Sequence, residues 1–154
     1  MPEAANIPEI GETEEDKKLS IGQLKYHYLQ IARQKFQKKV FINEDTGKPI
    51  KISKDGIMEW WRKSRRREHI ISVQLLDFFL ENAVFTGENP DYLGRRKIIG
   101  VSHFESKCTI NGKLFLVMIT TRKALYDIDK LRYYSLKDMD TINKINKKSR
   151  SRET

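Results

Sequence analysis

The residues best suited to chemistry lie on two predicted strands connected by Asn111 and Gly112. This dipeptide favours a two-residue type I′ turn, which fixes the register of the strands on either side. Counting outward from the turn pairs His103 with Thr120, and the alternation of side chains along a strand places both on one face of the sheet. A histidine beside a hydroxyl on such a face can move protons at a bound substrate.

The chemistry that this grouping favours is RNA cleavage without a metal. In that reaction the 2′-hydroxyl attacks the adjacent phosphate, a base takes its proton, an acid protonates the 5′-oxygen, and cations stabilise the charge that grows on phosphorus. Histidine, with an ordinary pKa of about 6.5, can act as acid or base near neutral pH. We expect no metal and no cofactor. The predicted catalytic residues are His103, Lys107, Thr120, Arg122 and Tyr126.

Each of these residues has a role in the predicted reaction. His103 is the general acid or base, and the planar fork of Arg122 holds the phosphate. Thr120 or Tyr126 donates a hydrogen bond to a phosphate oxygen, and Lys107 lies near the same surface. The alternative is that His103 is a surface or packing residue, which is the commoner role of a lone histidine on a half-exposed strand.

The net charge is divided unevenly along the chain. The 154 residues carry +9, of which residues 1–16 hold −6, so the remainder holds +15. Cationic surfaces favour polyanions, because each Lys or Arg placed on a phosphate releases a counterion. We therefore expect RNA as the partner, with an acidic immunity protein or antitoxin as a further one.

Two basic clusters stand out. One spans residues 62–67, between two predicted helices, and the other spans residues 144–152. For the first cluster phosphate binding and a solvated face are equally open, and for the second we favour a solvated tail. The predicted nucleic-acid-binding residues are Arg62, Lys63, Arg65, Arg66, Arg67, Arg95, Arg96 and Lys123.

The apolar spacing predicts helices in the first half of the chain and strands in the second. The predicted helices span residues 21–38 after Ser20, 54–65 after Ser53, and 69–84 as a central core helix. Short strands are predicted at 40–42 and 50–53, a loop at 86–96, a strand from Ile98, and a third sheet strand at 125–128, with residues 129–134 ending the sheet.

These elements predict an α+β fold in which N-terminal helices pack on a C-terminal antiparallel β-sheet. The hairpin register gives one face to the core, formed by Phe104, Cys108, Ile110, Phe115, Val117 and Ile119. We expect a flexible acidic leader at residues 1–19, a single domain at 20–136 and a flexible basic tail at 137–154.

Several classes of protein are excluded. No apolar run approaches the roughly 20 residues that span a bilayer, and the N-terminus lacks a secretory signal. We therefore expect no membrane contact. The expected location is the cytoplasm, with delivery into a host cell by a phage or another non-Sec route as the alternative. The single cysteine, Cys108, excludes an internal disulfide. The motifs of P-loop ATPases, Rossmann dehydrogenases and α/β-hydrolases are absent from the sequence.

A diffuse set of motifs extends over about residues 47–135: Lys48–Ser53, Gly56-Ile57, Leu76 with Leu80–Val84, His103-Phe104-Glu105, Ile110–Ile119 and Leu125–Asp127. Together they resemble domains of phage and mobile-element polyvalent proteins. Those domains are similar to the barnase/EndoU/colicin/RelE-like nuclease superfamily. The resemblance implies helices on a four- or five-stranded antiparallel sheet and metal-independent RNA cleavage by a toxin or phage-delivered effector. It implies His103, Thr120 and Arg122 as site residues.

Two other functions remain open on the sequence. The basic groups fit a non-catalytic nucleic-acid-binding module in which His103 is incidental. They also fit a phage or host interaction protein whose basic surface binds an acidic partner.

Overall fold

The computed structural model describes residues 7–90, 98–125 and 127–139. In chain order the elements are β1 (Glu9–Ile10), α1 (Glu14–Lys17), α2 (Ile21–Lys35), β2 (Val40–Ile42), β3 (Pro49–Lys51), α3 (Lys54–Lys63), α4 (Arg67–Ile71), a 3₁₀ helix (Ser72–Leu75), α5 (Leu76–Asn82), β4 (Val84–Pro90), β5 (Ile98–Ile110), β6 (Lys113–Ala124) and β7 (Asp129–Asp138).

The strands form one curled sheet with the helices on its inner face, which confirms the α+β class. The strand order is β1-β5-β6-β7-β3-β2, and β4 pairs with the same edge of β5 as β1. The β1–β5 and β3–β7 pairs are parallel, so the sheet is mixed rather than antiparallel throughout. Parallel pairs join segments far apart in the chain and have no turn signature, so the sequence indicated only the hairpins.

The β5–β6 hairpin has the predicted register. Asn111 and Gly112 have φ of 53° and 78°, as a type I′ turn requires, and His103 lies opposite Thr120. The predicted core face is buried at all six of its positions. The opposite face of the hairpin is therefore the outer face of the sheet.

Side-chain caps begin the two long helices where the sequence predicts. The Ser20 side chain accepts a hydrogen bond from the Gln23 amide at the start of α2, and the Ser53 side chain accepts one from Gly56 at the start of α3. These bonds satisfy amides that have no partner within the helix. Both helices end two or three residues before their predicted ends.

The prediction of one helix over residues 69–84 is wrong. The segment is broken into α4, a 3₁₀ helix and α5, and Val84 already belongs to β4. At the break the Ser72 hydroxyl is 2.7 Å from the His69 carbonyl oxygen and 2.8 Å from the Tyr134 hydroxyl. A serine that bonds back to its own helix competes with the regular ladder. The segment is buried on most sides, so its all-round apolar pattern indicated burial rather than helix continuity.

Two other expectations are corrected. Residues 86–90, predicted as a loop, belong to β4, where a bulge between Phe85 and Gly87 accommodates the irregular sequence. The edge of a sheet tolerates Gly and Pro, which the sequence prediction treated as loop residues. Leu125, Asp127 and Ile128 are not in a strand, because β7 begins at Asp129.

Part of the segment predicted as a leader is tied to the hairpin tip. The Thr109 and Asn111 amides donate to the carbonyl oxygens of Pro8 and Ile10 at 2.9 and 3.0 Å. Asp16 is buried and accepts a hydrogen bond from the Tyr28 hydroxyl at 2.8 Å. Residues 1–6 and 140–154, with most of the predicted tail, lie outside the described residues.

Among the described residues, no helix is both long and apolar enough to cross a membrane.

A buried polar cluster surrounds His69. Its Nε2 donates to the Tyr134 carbonyl oxygen at 3.0 Å, and the Trp60 indole donates to the His69 carbonyl oxygen at 3.2 Å. Burial lowers the pKa of His69 from 6.5 to about 4, although the hydrogen bond to Tyr134 opposes the shift. His69 is therefore neutral and structural at neutral pH.

This pKa predicts a loss of stability in mild acid. Between pH 6.5 and 4 the unfolded chain protonates His69 and the folded chain does not, so the free energy of unfolding falls by about 3 kcal/mol as pH drops through that range. Urea unfolding at pH 7 and pH 4.5 measures the difference. His69→Gln flattens this dependence, whereas His27→Ala on the exposed side of α2 keeps it. An unchanged slope in His69→Gln would contradict the assignment.

Gly56 allows a close approach between α3 and β7. A Cβ at this position would lie 2.6 Å from the backbone oxygen of Leu131, whereas a Cβ at Gly22 in α2 meets nothing within 4 Å. We expect Gly56→Ala to lower the free energy of unfolding by about 1–3 kcal/mol, because the helix must move. Gly22→Ala should raise it by about 0.4–1 kcal/mol. Equal effects in urea unfolding would show that the close approach does not constrain the packing.

Candidate active site

His103 lies near the middle of β5 on the outer face of the sheet, partly buried. Its Nε2 is 3.1 Å from the Asn89 amide nitrogen on β4, and its Nδ1 is 3.5 Å from the Thr120 hydroxyl on β6. Residues from both neighbouring strands thus orient the ring. The amide can turn either its nitrogen or its oxygen toward the ring, so it can serve both protonation states of the imidazole.

The ring opens onto a groove of about 380 Å³. Its lining residues come from three neighbouring strands: Thr86, Gly87, Glu88, Asn89, His103, Phe104, Glu105, Met118, Ile119 and Thr120. Gly87 lies directly opposite His103 in the register, after the β4 bulge, and has a φ of 152°. The positive φ favours glycine at this point, although a Cβ here would meet no atom within 4 Å.

Among the described residues, the charged side chains of the groove lining are those of Glu88 and Glu105. Glu88 accepts a hydrogen bond from Lys123 at 2.9 Å, and that bond lowers its pKa. Lys123 is therefore paired with a groove carboxylate, and its predicted contact with nucleic acid stays a prediction. Glu105 is exposed, two residues from His103 on the same face of β5, with no ion pair among the described residues.

The sequence prediction missed Asn89 and Glu105. Strand alternation puts Glu105 on the same face of β5 as His103, so the signal that could have found it is its position two residues from a histidine. Asn89 was assigned to a loop, because a strand containing Gly87 and Pro90 has no clear sequence pattern. The β4 pairing that brings it to His103 depends on tertiary structure.

Neither Lys107 nor Arg122 is among the residues that line the groove beside His103. Lys107 is exposed on the same face of β5, four residues farther along, and does not line the groove. Arg122 lies on β6 with its Nε buried and without a hydrogen-bond partner in the part of the chain that the structure describes. The pKa of Glu59 on α3 is lowered mainly by its hydrogen bond with Lys63. The charges of Lys63, Arg62 and, least of the three, Arg122 lower it further.

The cluster at residues 62–67 is largely paired. Arg62 and Lys63 contact Glu59 at 3.5 and 3.0 Å. Arg66 contacts Glu68 at 3.3 Å, and Arg65 is exposed with no carboxylate partner among the described residues. Tyr126, Arg95 and Arg96 lie outside the described residues, so their predicted roles stay predictions.

Arg67 is used within the fold. Its guanidinium contacts Glu12 at 2.7 Å and donates to the carbonyl oxygens of Asp16 and Leu19 at 2.6 and 2.9 Å. Three donors are thus committed to the N-terminal segment. The structure gives this residue a structural role beside the predicted contact with phosphate.

Among residues 7–90, 98–125 and 127–139, no three His, Cys, Asp or Glu side chains lie where they could hold a metal ion. Cys108 is buried, and burial raises the pKa of its thiol to about 12. The groove side chains that can exchange protons include those of His103 and Glu105, and Asn89 and Thr120 lie within hydrogen-bonding distance of the imidazole.

Residues 20–134 match the family described as large polyvalent protein-associated domain 3. The chain belongs to this family. The match confirms the polyvalent-protein part of the resemblance. No curated protein and no solved structure matches the chain. In this polyvalent-associated domain the matched residues include the whole His103 groove, while β1 and α1 precede them.

We predict that Arg67→Ala releases the segment before α2 from the sheet. The variant loses three contacts, and a hydrogen bond to a charged group contributes about 1.5–3 kcal/mol. Exchange of the Thr109 and Asn111 amides should become faster by about tenfold or more, because each 1.4 kcal/mol is a factor of ten. Arg65→Ala is the matched control and should leave both amides protected. The three Arg67 contacts, to Glu12, Asp16 and Leu19, are called the Arg67 clamp. Unchanged amide exchange in Arg67→Ala would contradict its role in holding the segment.

Proposed function

We propose that this domain is a metal-independent endoribonuclease that cleaves RNA by attack of the 2′-hydroxyl on the adjacent phosphate. The observation that carries the proposal is the oriented imidazole of His103 in an open groove that Glu105 also lines. An imidazole and a carboxylate on one strand face can supply the base and the acid that this reaction needs. The Cα atoms of two residues that are two positions apart on a strand lie about 7 Å from each other, which leaves room for a phosphate between the side chains of His103 and Glu105.

In the proposed reaction, bond formation, bond breaking and both proton transfers occur in one step. Glu105 takes the proton of the 2′-hydroxyl while that oxygen forms a bond to phosphorus. The bond from phosphorus to the 5′-oxygen breaks, and protonated His103 gives its proton to that oxygen. The products are a 2′,3′-cyclic phosphate and a free 5′-hydroxyl.

The surrounding groups have supporting roles in this proposal. Asn89 and Thr120 hold the imidazole, and the Thr120 hydroxyl can also donate to a phosphate oxygen. Lys107 and Arg122, which lie on β5 and β6 outside the groove lining, offset the negative charge of the phosphate at longer range. Lys123 contributes by neutralising Glu88, which otherwise repels the substrate.

The resemblance to the barnase/EndoU/colicin/RelE-like superfamily supports the same reaction class. We further propose a toxin or phage-delivered effector that acts in the cytoplasm of its target cell, and an acidic immunity protein or antitoxin as its natural inhibitor. The net charge of +9 favours both RNA and an acidic inhibitor.

A non-catalytic nucleic-acid-binding module is the second candidate. The observation in its favour is that the charged groove lining is acidic, while cations lie on β6 and α3 outside it. Under this alternative RNA binds to the cations and stays intact. Cleavage assays separate the two functions.

We expect purified protein to cleave single-stranded RNA in EDTA and to leave 2′,3′-cyclic phosphate ends. His103→Ala and Glu105→Gln should each lower the rate by about 10²–10⁴, the usual contribution of general acid–base catalysis. His27→Ala is the matched histidine control, exposed on α2, and should cleave at the wild-type rate.

Intact RNA with the folded wild-type protein would overturn the nuclease proposal. Equal rates in His103→Ala and His27→Ala would show that any cleavage comes from elsewhere.

A further inference from the structure

We infer that single-stranded RNA binds along a basic track on the surface of the domain. The track starts beside the His103 groove, crosses β7 and α3, and ends on α2. The track is defined by Arg122, Lys63, Arg62, Arg65 and Lys25, together with the rings of Tyr133 and Trp61. The track adds a binding surface for the RNA of the proposed nuclease, and it depends on that proposed function only where it meets the His103 groove.

The near end of the track adjoins the groove. Tyr133 on β7 pairs with Thr120, which in turn pairs with His103, so these three residues form one row across the sheet. Lys63 on α3 lies with its Nζ 4.7 Å from the centre of the Tyr133 ring. The end of α3 therefore continues the row beyond β7.

The middle of the track is the exposed end of α3. The side chains of Arg62 and Lys63 are 63% and 52% exposed, and both contact the single carboxylate of Glu59. Two cations on one carboxylate leave a net positive charge, and exposed ion pairs contribute little stability, so a phosphate can replace Glu59 at low cost.

The far end is formed by α2 and the residues just after α3. Lys25 lies with its Nζ 4.9 Å from the centre of the Trp61 ring. The pKa of Lys25 is lowered mainly by the partial burial of its own side chain. The nearby charge of Arg65 lowers it further. Neither cation has a carboxylate partner among the described residues. A bound phosphate would relieve their repulsion.

The spacing and composition favour a strand of RNA over a single nucleotide or an acidic protein. Adjacent strands lie about 4.8 Å apart and packed helices 8–10 Å apart, so the track extends over roughly 20–30 Å. Partly exposed rings alternate with the cations, at Tyr133 and at Trp61. Alternating aromatic and basic side chains are typical of single-stranded nucleic-acid sites, where bases stack and phosphates pair.

Fluorescence anisotropy with a labelled single-stranded RNA of about ten nucleotides tests the track. The background is the full chain with His103→Ala, so that cleavage of the probe during the measurement is slow. The track variant adds Lys25→Glu and Arg65→Glu. The control variant adds Lys39→Glu and Lys54→Glu, which change the net charge equally at exposed positions outside the track.

We expect the track variant to bind the RNA at least about tenfold more weakly. The slope of log K against log salt concentration should also fall by the amount that corresponds to about two phosphate contacts. The control should lose much less. Equal losses in both variants, or no loss in the track variant, would overturn the inference, as would competition by polyglutamate as effective as competition by unlabelled RNA. Tight, track-dependent binding by a wild-type protein that leaves RNA intact would refute the nuclease proposal and uphold the track.

Discussion

The structure depends on the register of the β5–β6 hairpin. Asn111 and Gly112 set that register, and it decides which side chains of 24 paired strand positions face the helices and which face outward. A slip by one residue would send His103 toward the core and expose Phe104 and Cys108, at the cost of several buried apolar side chains. Burial of the core face therefore also fixes the imidazole on the outer face, beside Thr120.

The features that the sequence predicts are those that local chemistry decides. The caps at Ser20 and Ser53, the turn at Asn111 and the buried face of the hairpin all follow from contacts within a few residues or from strict alternation. The Asn89–His103 contact follows from the packing of an edge strand whose Gly87 and Pro90 resemble loop residues. The break at Ser72 likewise depends on Tyr134, 62 residues away. Neither interaction has a local signal.

The basic residues have three different fates that their spacing along the chain does not distinguish. Arg67 is committed to the N-terminal segment, Lys123 to a groove carboxylate, and Arg65 to no partner among the described residues. A count of positive charges treats the three alike. Their surroundings assign one to the fold, one to the electrostatics of the groove and one to a surface open to polyanions.

The parallel pairing of β1 with the hairpin tip has a mechanical consequence. A chain pulled from its N-terminal side loads the two hydrogen bonds at Pro8 and Ile10 along the strand, together with the Arg67 clamp. Before residues 7–19 come away from the tip, the hydrogen bonds from the Glu12 amide to the Asn111 side chain and from the Tyr28 hydroxyl to Asp16 must break as well. The β5–β6 ladder is paired over a much longer stretch than β1 and β5, so it outlasts these contacts, and the domain would yield in two steps under tension, with the His103 groove intact after the first.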